Sequence, residues 1–142
     1  MGGGAACRLK HLFPSRLFDE PDPFFRKRSP EPKDETLLEL KKKTREKNEV
    51  GFAFDGDGDR VVLADQGNVV EGDVTAAFIA THVFKKHDAL VFSIDCREEV
   101  FQKTREGGFR VFTSKVGDAN VLRLALEKGA AFSAERSGHY AF

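Results

Sequence analysis

Residues 51–62 read Gly-Phe-Ala-Phe-Asp-Gly-Asp-Gly-Asp-Arg-Val-Val, so that a glycine-rich loop joins two apolar runs. Carboxylates alternate along this loop, at Asp55, Asp57 and Asp59. Crowded carboxylates repel one another unless a hard cation joins them, and ligation by oxygen alone favours Mg²⁺, Mn²⁺ or Ca²⁺ over zinc. Arg60 follows at once, and its planar guanidinium matches a pair of phosphate oxygens. The stretch therefore predicts a divalent-metal loop with a phosphate group beside it.

Three other kinds of structure contain acidic turns of this sort. An ordinary surface turn mixes Asp with Asn and Ser and lacks apolar strands on both sides. An EF-hand loop begins Asp-x-Asp-x-Asp, but it requires glycine where Arg60 lies and glutamate where Gln66 lies. A phosphatase of the haloacid dehalogenase type ends a strand in Asp-x-Asp, with the first Asp as nucleophile, and this pattern fits Asp55 and Asp57. Since that class usually places Thr or Val where Asp59 lies, the phosphatase is the second choice.

Composition limits the classes of protein to which the chain can belong. Its 142 residues carry 23 basic and 23 acidic side chains, so the formal net charge is zero, and we expect neither a nucleic acid nor a membrane as partner. Basic side chains do cluster at residues 26–28, but acidic neighbours favour a solvated face there. The cysteines, Cys7 and Cys96, show no metal-binding spacing, and no apolar run approaches the roughly 20 residues that span a bilayer. These features predict a cytoplasmic globular protein.

The sequence pattern divides the chain into two parts. All five prolines lie within residues 1–33, which are typical of a loop-rich opening. A helix is predicted over 34–47, because acidic residues begin it and basic residues end it, in agreement with the helix dipole. Strands are predicted at 50–54 and 61–64. We therefore expect one domain at 1–70 and another at 71–142.

The second part alternates strands with helices. A helix begins at Asp73 and is predicted to extend to about residue 86. The elements that follow are a strand at 90–94, a helix at 97–105, a strand at 109–113, a helix at 119–128 and a strand at 131–133. This rhythm predicts an α/β sheet whose strands are mostly parallel. Ligands of such sheets bind beyond the strand ends, which indicates the loops at 113–118 and 134–139 as candidate sites.

These two loops carry polar side chains that suit a sugar. Residues 135–139 read Glu-Arg-Ser-Gly-His and offer a carboxylate, a hydroxyl and an imidazole, which match the neighbouring hydroxyl groups of a sugar. Each polar residue alone has a simpler interpretation. His139 is more often structural than catalytic, Asp118 is expected to be a helix N-cap, and Arg97 is expected to be a charge on a helix surface.

Three segments together resemble the α-D-phosphohexomutases, the family that includes phosphomannomutase, phosphoglucomutase and phosphoglucosamine mutase. The segments are residues 51–60, 113–118 and 135–139, in this order and separation. The resemblance implies an α/β fold made of parts of two consecutive mixed-sheet domains, the second and third of a four-domain mutase. It also implies phosphoryl transfer between O1 and O6 of a hexose phosphate, through a phosphoserine and Mg²⁺. The sequence leaves mannose, glucose and glucosamine phosphates open as substrates.

The resemblance also assigns roles to individual residues. Mg²⁺ would be held by Asp55, Asp57 and Asp59. Arg60 would neutralise the phosphoryl group during its transfer. The hexose phosphate would be bound by Gly117, Asp118, Glu135, Ser137 and His139.

Parts of the family pattern are missing from these residues. No Ser-His-Asn-Pro segment, which carries the family's phosphoserine, occurs in the sequence. We therefore expect an internal fragment of a mutase that binds Mg²⁺ weakly, shows no turnover alone and self-associates through exposed apolar faces and unpaired strand edges. A noncatalytic remnant that keeps a metal-binding or other binding role is the alternative from a different class.

Overall fold

The computed structural model of the chain describes residues 8–142, apart from the side chain of Lys10. The chain divides into two compact units, one that ends at Val70 and one that begins at Glu71. Each unit contains its own sheet.

The first unit is a three-stranded antiparallel sheet packed against a helix. Its elements are the helix α1 (Leu38–Lys47) and the strands β1 (Gly51–Phe54), β2 (Val61–Asp65) and β3 (Asn68–Val70), with short 3₁₀ turns at Lys10–Leu12 and Asp34–Thr36. The strands lie in the order β1-β2-β3. The last pair of the β1–β2 hairpin joins Phe54 to Val61, so the acidic loop is the hairpin connection.

The predicted first helix is interrupted near its start. A 3₁₀ turn occupies Asp34–Thr36, and the α-helix begins only at Leu38. The hydroxyl of Thr36 accepts the Lys33 amide N–H (2.9 Å) and donates to the Glu31 carbonyl (2.8 Å), and these bonds compete with helical ones. The prediction of one continuous helix from residue 34 was therefore wrong.

Close packing of α1 on the sheet fixes the position of the hairpin. Leu37, Ala53 and Val62 form the buried core of the unit. A Cβ atom on Gly51 would lie 2.6 Å from the Leu40 Cδ1 atom, so the strand and the helix approach closely at this point. The acidic loop thus extends from a strand that the helix holds in place.

The second unit is a four-stranded mixed sheet with helices packed on it. Its elements are the helices α2 (Gly72–Val83), α3 (Glu98–Glu106) and α4 (Asp118–Lys128) and the strands β4 (Ala89–Ser93), β5 (Arg110–Ser114), β6 (Phe132–Ala134) and β7 (Tyr140–Ala141). The strands lie in the order β5-β4-β6-β7, with β5, β4 and β6 parallel and β7 antiparallel to β6. The predicted α/β class and the mostly parallel sheet are confirmed. Strand β7 was not predicted, because two residues are too few to show a period.

Aromatic packing around β4 forms the core of the second unit. Phe92 meets the rings of Phe101 and Phe132 edge to face, at centroid distances of 5.9 and 6.5 Å. Phe84 stacks on Phe132 at 5.3 Å, and its backbone is extended (φ −102°, ψ 163°). Helix α2 therefore ends at Val83 rather than near residue 86, because the ring of Phe84 packs on the core instead.

The parallel strands bring the candidate sugar-binding loops to one edge of the sheet. β4 is flanked by β5 and β6, so the carboxyl ends of all three strands lie side by side. The loops that follow β5 and β6 leave from this edge, which is where ligands of parallel sheets bind. No helix within residues 8–142 is long and apolar enough to cross a membrane.

Candidate functional site

The acidic loop brings its three carboxylates together. One carboxylate oxygen each of Asp55, Asp57 and Asp59 lies within 4.8 Å of the others. Asp55 is 3% exposed, whereas Asp57 and Asp59 are exposed. Gly58 adopts φ 83°, a left-handed conformation that favours glycine and lets the loop turn back on itself.

Asp55 is held in place by the main chain of the loop and by Arg60. Its Oδ1 atom accepts the amide N–H groups of Gly58 (2.9 Å) and Arg60 (3.2 Å), and its Oδ2 atom accepts the Arg60 Nε–H at 2.8 Å. Burial alone would raise the pKa of the Asp55 carboxyl, but these hydrogen bonds, led by those from Arg60, hold its pKa below the usual value. Asp55 is therefore an ionised anchor for the loop.

The chemistry of this donor set fits a divalent cation. All three side chains offer carboxylate oxygen, which suits a hard cation of the Mg²⁺ or Ca²⁺ kind. Arg60 lies 2.8 Å from Asp55 and 3.9 Å from Asp59, so its guanidinium offsets part of the negative charge of the loop. The converging carboxylate oxygens are what such a cation needs.

Arg28 is a neighbour of the acidic loop that the sequence analysis missed. Its Nη2 atom donates to the carbonyl of Phe54 at 2.6 Å, immediately before the loop, and its Nη1 atom is buried. Burial lowers the pKa of Arg28, although the charge of Asp55 opposes this change. The interpretation of residues 26–28 as a solvated face was therefore wrong at Arg28, because a basic run does not show which member turns inward.

The second group of predicted residues meets at the carboxyl edge of the parallel sheet. Glu135 is 6% exposed, and its Oε1 atom accepts the Gly117 amide N–H at 2.7 Å. Its Oε2 atom lies 3.4 Å from His139 Nδ1. The Glu135 amide donates to the His139 carbonyl at 3.0 Å, and the Gly138 amide donates to the Glu135 carbonyl at 3.1 Å. Glu135 therefore joins the loop after β6 to the loop after β5.

Ser137 and Asp118 lie on the surface near this bridge. The Ser137 side chain is exposed on the loop that carries Glu135. Asp118 is also exposed, and it is the first residue of α4 rather than its N-cap; its Oδ1 atom accepts the Ala119 amide at 2.7 Å. The N-cap is Gly117, whose φ of 108° favours glycine. The capping role predicted for Asp118 was therefore wrong by one position.

Arg97 forms a structural ion pair instead of a charge on a helix surface. Its Nη2 and Nε atoms donate to Asp73 Oδ1 (2.6 Å) and Oδ2 (3.1 Å), and its amide donates to Oδ2 at 2.8 Å. Asp73 is 0% exposed. Burial would raise the pKa of Asp73, but the bonds from Arg97 and from the Val74 amide lower it. The interpretation of Arg97 as a charge on a helix surface was therefore wrong. Its partner Asp73 lies 24 residues away in the sequence, so the residues around Arg97 do not show the ion pair.

Comparison with known proteins identifies the family. The model for phosphoglucomutase/phosphomannomutase alpha/beta/alpha domain II matches residues 8–68, and the model for domain III of the same enzymes matches residues 71–142. The two matches thus cover two consecutive domains of one protein family. The chain belongs to the phosphoglucomutase/phosphomannomutase family, the α-D-phosphohexomutases.

Individual relatives agree with this assignment. The phosphomannomutase of Methanocaldococcus jannaschii is 33% identical over 141 residues, which cover 94% of this chain and 31% of that protein. The phosphoglucosamine mutase of Thermotoga maritima is 40% identical over 95 residues, 63% of this chain and 22% of that protein. The chain also superposes on a solved structure of a phosphoglucomutase/phosphomannomutase family protein from Burkholderia thailandensis, with a TM-score of 0.84 and 29% sequence identity. The superposition covers 90% of this chain and 29% of the Burkholderia chain. The chain thus spans less than a third of the length of each of these relatives.

Proposed function

We propose that the chain supplies the metal-binding and sugar-binding segments of a phosphohexomutase. The reaction is transfer of a phosphoryl group between O1 and O6 of a hexose phosphate, through a phosphoserine and with Mg²⁺ as the cation. The convergence of three carboxylates in a loop that also holds Arg60 carries the proposal. In this proposal the phosphoserine belongs to a part of the polypeptide outside these 142 residues.

The residues of the acidic loop would have two electrostatic roles, metal binding and phosphate binding. Asp55, Asp57 and Asp59 would hold Mg²⁺, which when bound neutralises the charge that spreads over the phosphoryl oxygens. Arg60 is oriented by the bond from its Nε atom to Asp55, and that bond leaves its terminal nitrogens as donors for a phosphate group. Because Asp55 is ionised and the three carboxylates lie close together, the loop presents negative charge at the place where a cation would bind.

The residues of the sheet edge would bind the sugar. The Gly117 amide holds the Glu135 carboxylate in one position, and the remaining lone pairs of that carboxylate can accept hydrogen bonds from a sugar there. Ser137 and His139 offer groups that both donate and accept hydrogen bonds, and Asp118 adds an exposed carboxylate. Groups of this kind suit a sugar that must bind in two orientations, once for each half of the reaction.

The phosphatase alternative gives Asp55 a different task from metal binding. Its carboxylate would have to attack the phosphorus atom. Both domain matches instead belong to the mutase family, in which the proposed role of this buried and hydrogen-bonded carboxylate is to hold the metal. We therefore expect no phosphate release from p-nitrophenyl phosphate above the level of the Asp55→Asn variant, measured by the colour of p-nitrophenol. Release that disappears in Asp55→Asn would overturn this expectation.

The proposed function is tested by mutase activity in the longer polypeptide. Expressed with its flanking domains, the protein is expected to interconvert the 1- and 6-phosphates of mannose, glucose or glucosamine with Mg²⁺, as followed by ³¹P NMR. The 142 residues alone are expected to show no interconversion. Glu135→Gln should lower kcat/KM about tenfold, because the Gly117 amide loses a charged acceptor. Glu127→Gln, an exposed change on α4, is the matched control. Absence of activity with all three sugars would contradict the proposal.

A further inference from the structure

The first turn of α2 lies directly beneath the loop that carries Glu135. A Cβ atom on Gly72 would lie 2.5 Å from the Arg136 carbonyl oxygen, 2.7 Å from the Gly138 nitrogen and 2.9 Å from the Gly138 Cα atom. All of these are main-chain atoms, which cannot rotate away as the end of a side chain can. The loop therefore rests on Gly72 at a distance that no other residue permits.

Two further contacts join the loop region to the same turn. The Tyr140 hydroxyl donates to the Gly72 carbonyl at 2.9 Å, and Arg136 Nε lies 3.3 Å from a carboxylate oxygen of Glu71. Burial raises the pKa of Tyr140 to about 12, so its hydroxyl is a protonated donor at neutral pH. The loop is thus connected to the turn on both sides of Gly138.

The turn itself is fixed to the rest of the second unit. Asp73 follows Gly72 and is fully buried. Its carboxylate accepts three bonds from Arg97, the residue that precedes α3. Since two helices are tied together at this point, the turn is a rigid support for whatever packs on it.

We propose that Gly72 is a positioning residue for the sugar-binding loop. A methyl group at this position must push the main chain of Arg136 and Gly138 outward by roughly 1 Å to reach van der Waals separation. Gly138 is bonded to the Glu135 carbonyl, so the movement passes to Glu135 and lengthens its 2.7 Å bond to the Gly117 amide. Because Gly72 has no side chain, the loop lies close to the first turn of α2. This close approach sets the position from which the Glu135 carboxylate accepts the Gly117 amide. The purpose of that position, sugar binding, rests on the proposed function.

The Gly117 amide proton provides a direct test in the 142-residue chain. A hydrogen bond to a carboxylate moves an amide proton resonance downfield and slows its exchange with solvent, and Glu135→Ala gives the reference for its complete loss. In Gly72→Ala we expect the Gly117 resonance to move toward that reference and its exchange to accelerate severalfold. The control is Gly107→Ala, since Gly107 has an ordinary φ of −66° and an added Cβ would come no closer than 3.2 Å to its neighbours.

A second variant keeps the test decisive if Gly72→Ala fails to fold. Tyr140→Phe retains the ring stacked on Phe132 and removes the hydroxyl that donates to the Gly72 carbonyl, so a smaller change in the same direction is expected. A Gly117 amide that is unchanged in the folded Gly72→Ala, or in Tyr140→Phe when Gly72→Ala does not fold, overturns the positioning role.

Titration with glucose 6-phosphate on the same samples separates the two proposals. If the chain binds this probe, Gly72→Ala is expected to weaken the affinity about tenfold, in step with the change at Gly117. If the chain does not bind it and the Gly117 signal still moves in Gly72→Ala, the positioning role is supported and binding of glucose 6-phosphate by this chain is contradicted.

Discussion

Asp55→Asn is expected to lower the affinity of the chain for divalent cations by about 100-fold. Substitution of residues that only orient metal ligands lowers metal affinity about 10- to 100-fold. Asp55 is itself a candidate ligand, so we expect an effect at the upper end of this range. The change also removes the charge that orients Arg60. The number of carboxylate charges in the loop then falls from three to two, and with it the attraction for a cation.

Broadening of amide signals by Mn²⁺ gives the measurement. In the wild-type chain, Mn²⁺ at low concentration is expected to broaden the amides of residues 55–60, and Mg²⁺ in excess is expected to restore them. The matched control is Asp65→Asn, which removes the same charge from an exposed position at the end of β2. Equal Mn²⁺ affinity in Asp55→Asn and Asp65→Asn would show that the loop is not the metal site.

Comparison of Asp55 with Asp57 separates metal binding from stability. Asp55 accepts three hydrogen bonds within the loop, so Asp55→Asn should lower the free energy of unfolding as well as the metal affinity. Asp57 is exposed, so Asp57→Asn should lower the metal affinity and leave the stability of the metal-free chain within about 0.5 kcal/mol of the wild type. A purely structural acidic turn would lose stability in Asp55→Asn but would lose no metal affinity in Asp57→Asn.

The part of the site that could be predicted from sequence is the part that is local. Asp55, Asp57 and Asp59 lie within five residues, so their spacing alone shows that they converge. The predicted strands on both sides of the loop pair as a hairpin, because that loop is short. The rhythm of strands and helices likewise identifies the parallel sheet, since each βαβ unit is continuous in sequence.

The remaining features depend on partners that are distant in sequence. Arg28 bonds to Phe54, the residue before the acidic loop, from 26 residues away, and Gly72 contacts the loop after β6 from more than 60 residues away. Neither contact produces a hydrophobic periodicity or a motif that can be seen in a single sequence. A glycine at the start of a helix and an arginine in a basic run both have commoner explanations, so only the folded chain shows their roles.

Arg97→Ala is expected to destabilise the second unit by about 2–4 kcal/mol. Loss of one partner of a buried ion pair leaves the other charge uncompensated, which destabilises a protein by about 3–5 kcal/mol. The expected value is lower here because Arg97 is 38% exposed and Asp73 keeps bonds from the amides of Val74 and residue 97. The measurement is urea unfolding followed through the amide signals of β4, which report the second unit by itself. The control is Arg123→Ala, an exposed position on α4.

The same ion pair predicts how the stability of the second unit changes with pH. The folded-state pKa of Asp73 lies below its ordinary value, so the folded state gains stability from Asp73 at any pH above the unfolded pKa of about 3.9. This gain is lost as the pH falls through the lowered folded-state pKa. Asp73→Asn should therefore show a weaker loss of stability below pH 4 than the wild type. Arg97→Ala should also reduce the acid dependence, because the pKa of Asp73 then moves back toward its usual value. If Arg97→Ala and Asp73→Asn changed stability by the same amount at pH 2 and at pH 7, the ionic character of the pair would be contradicted, and the contact would contribute only through packing.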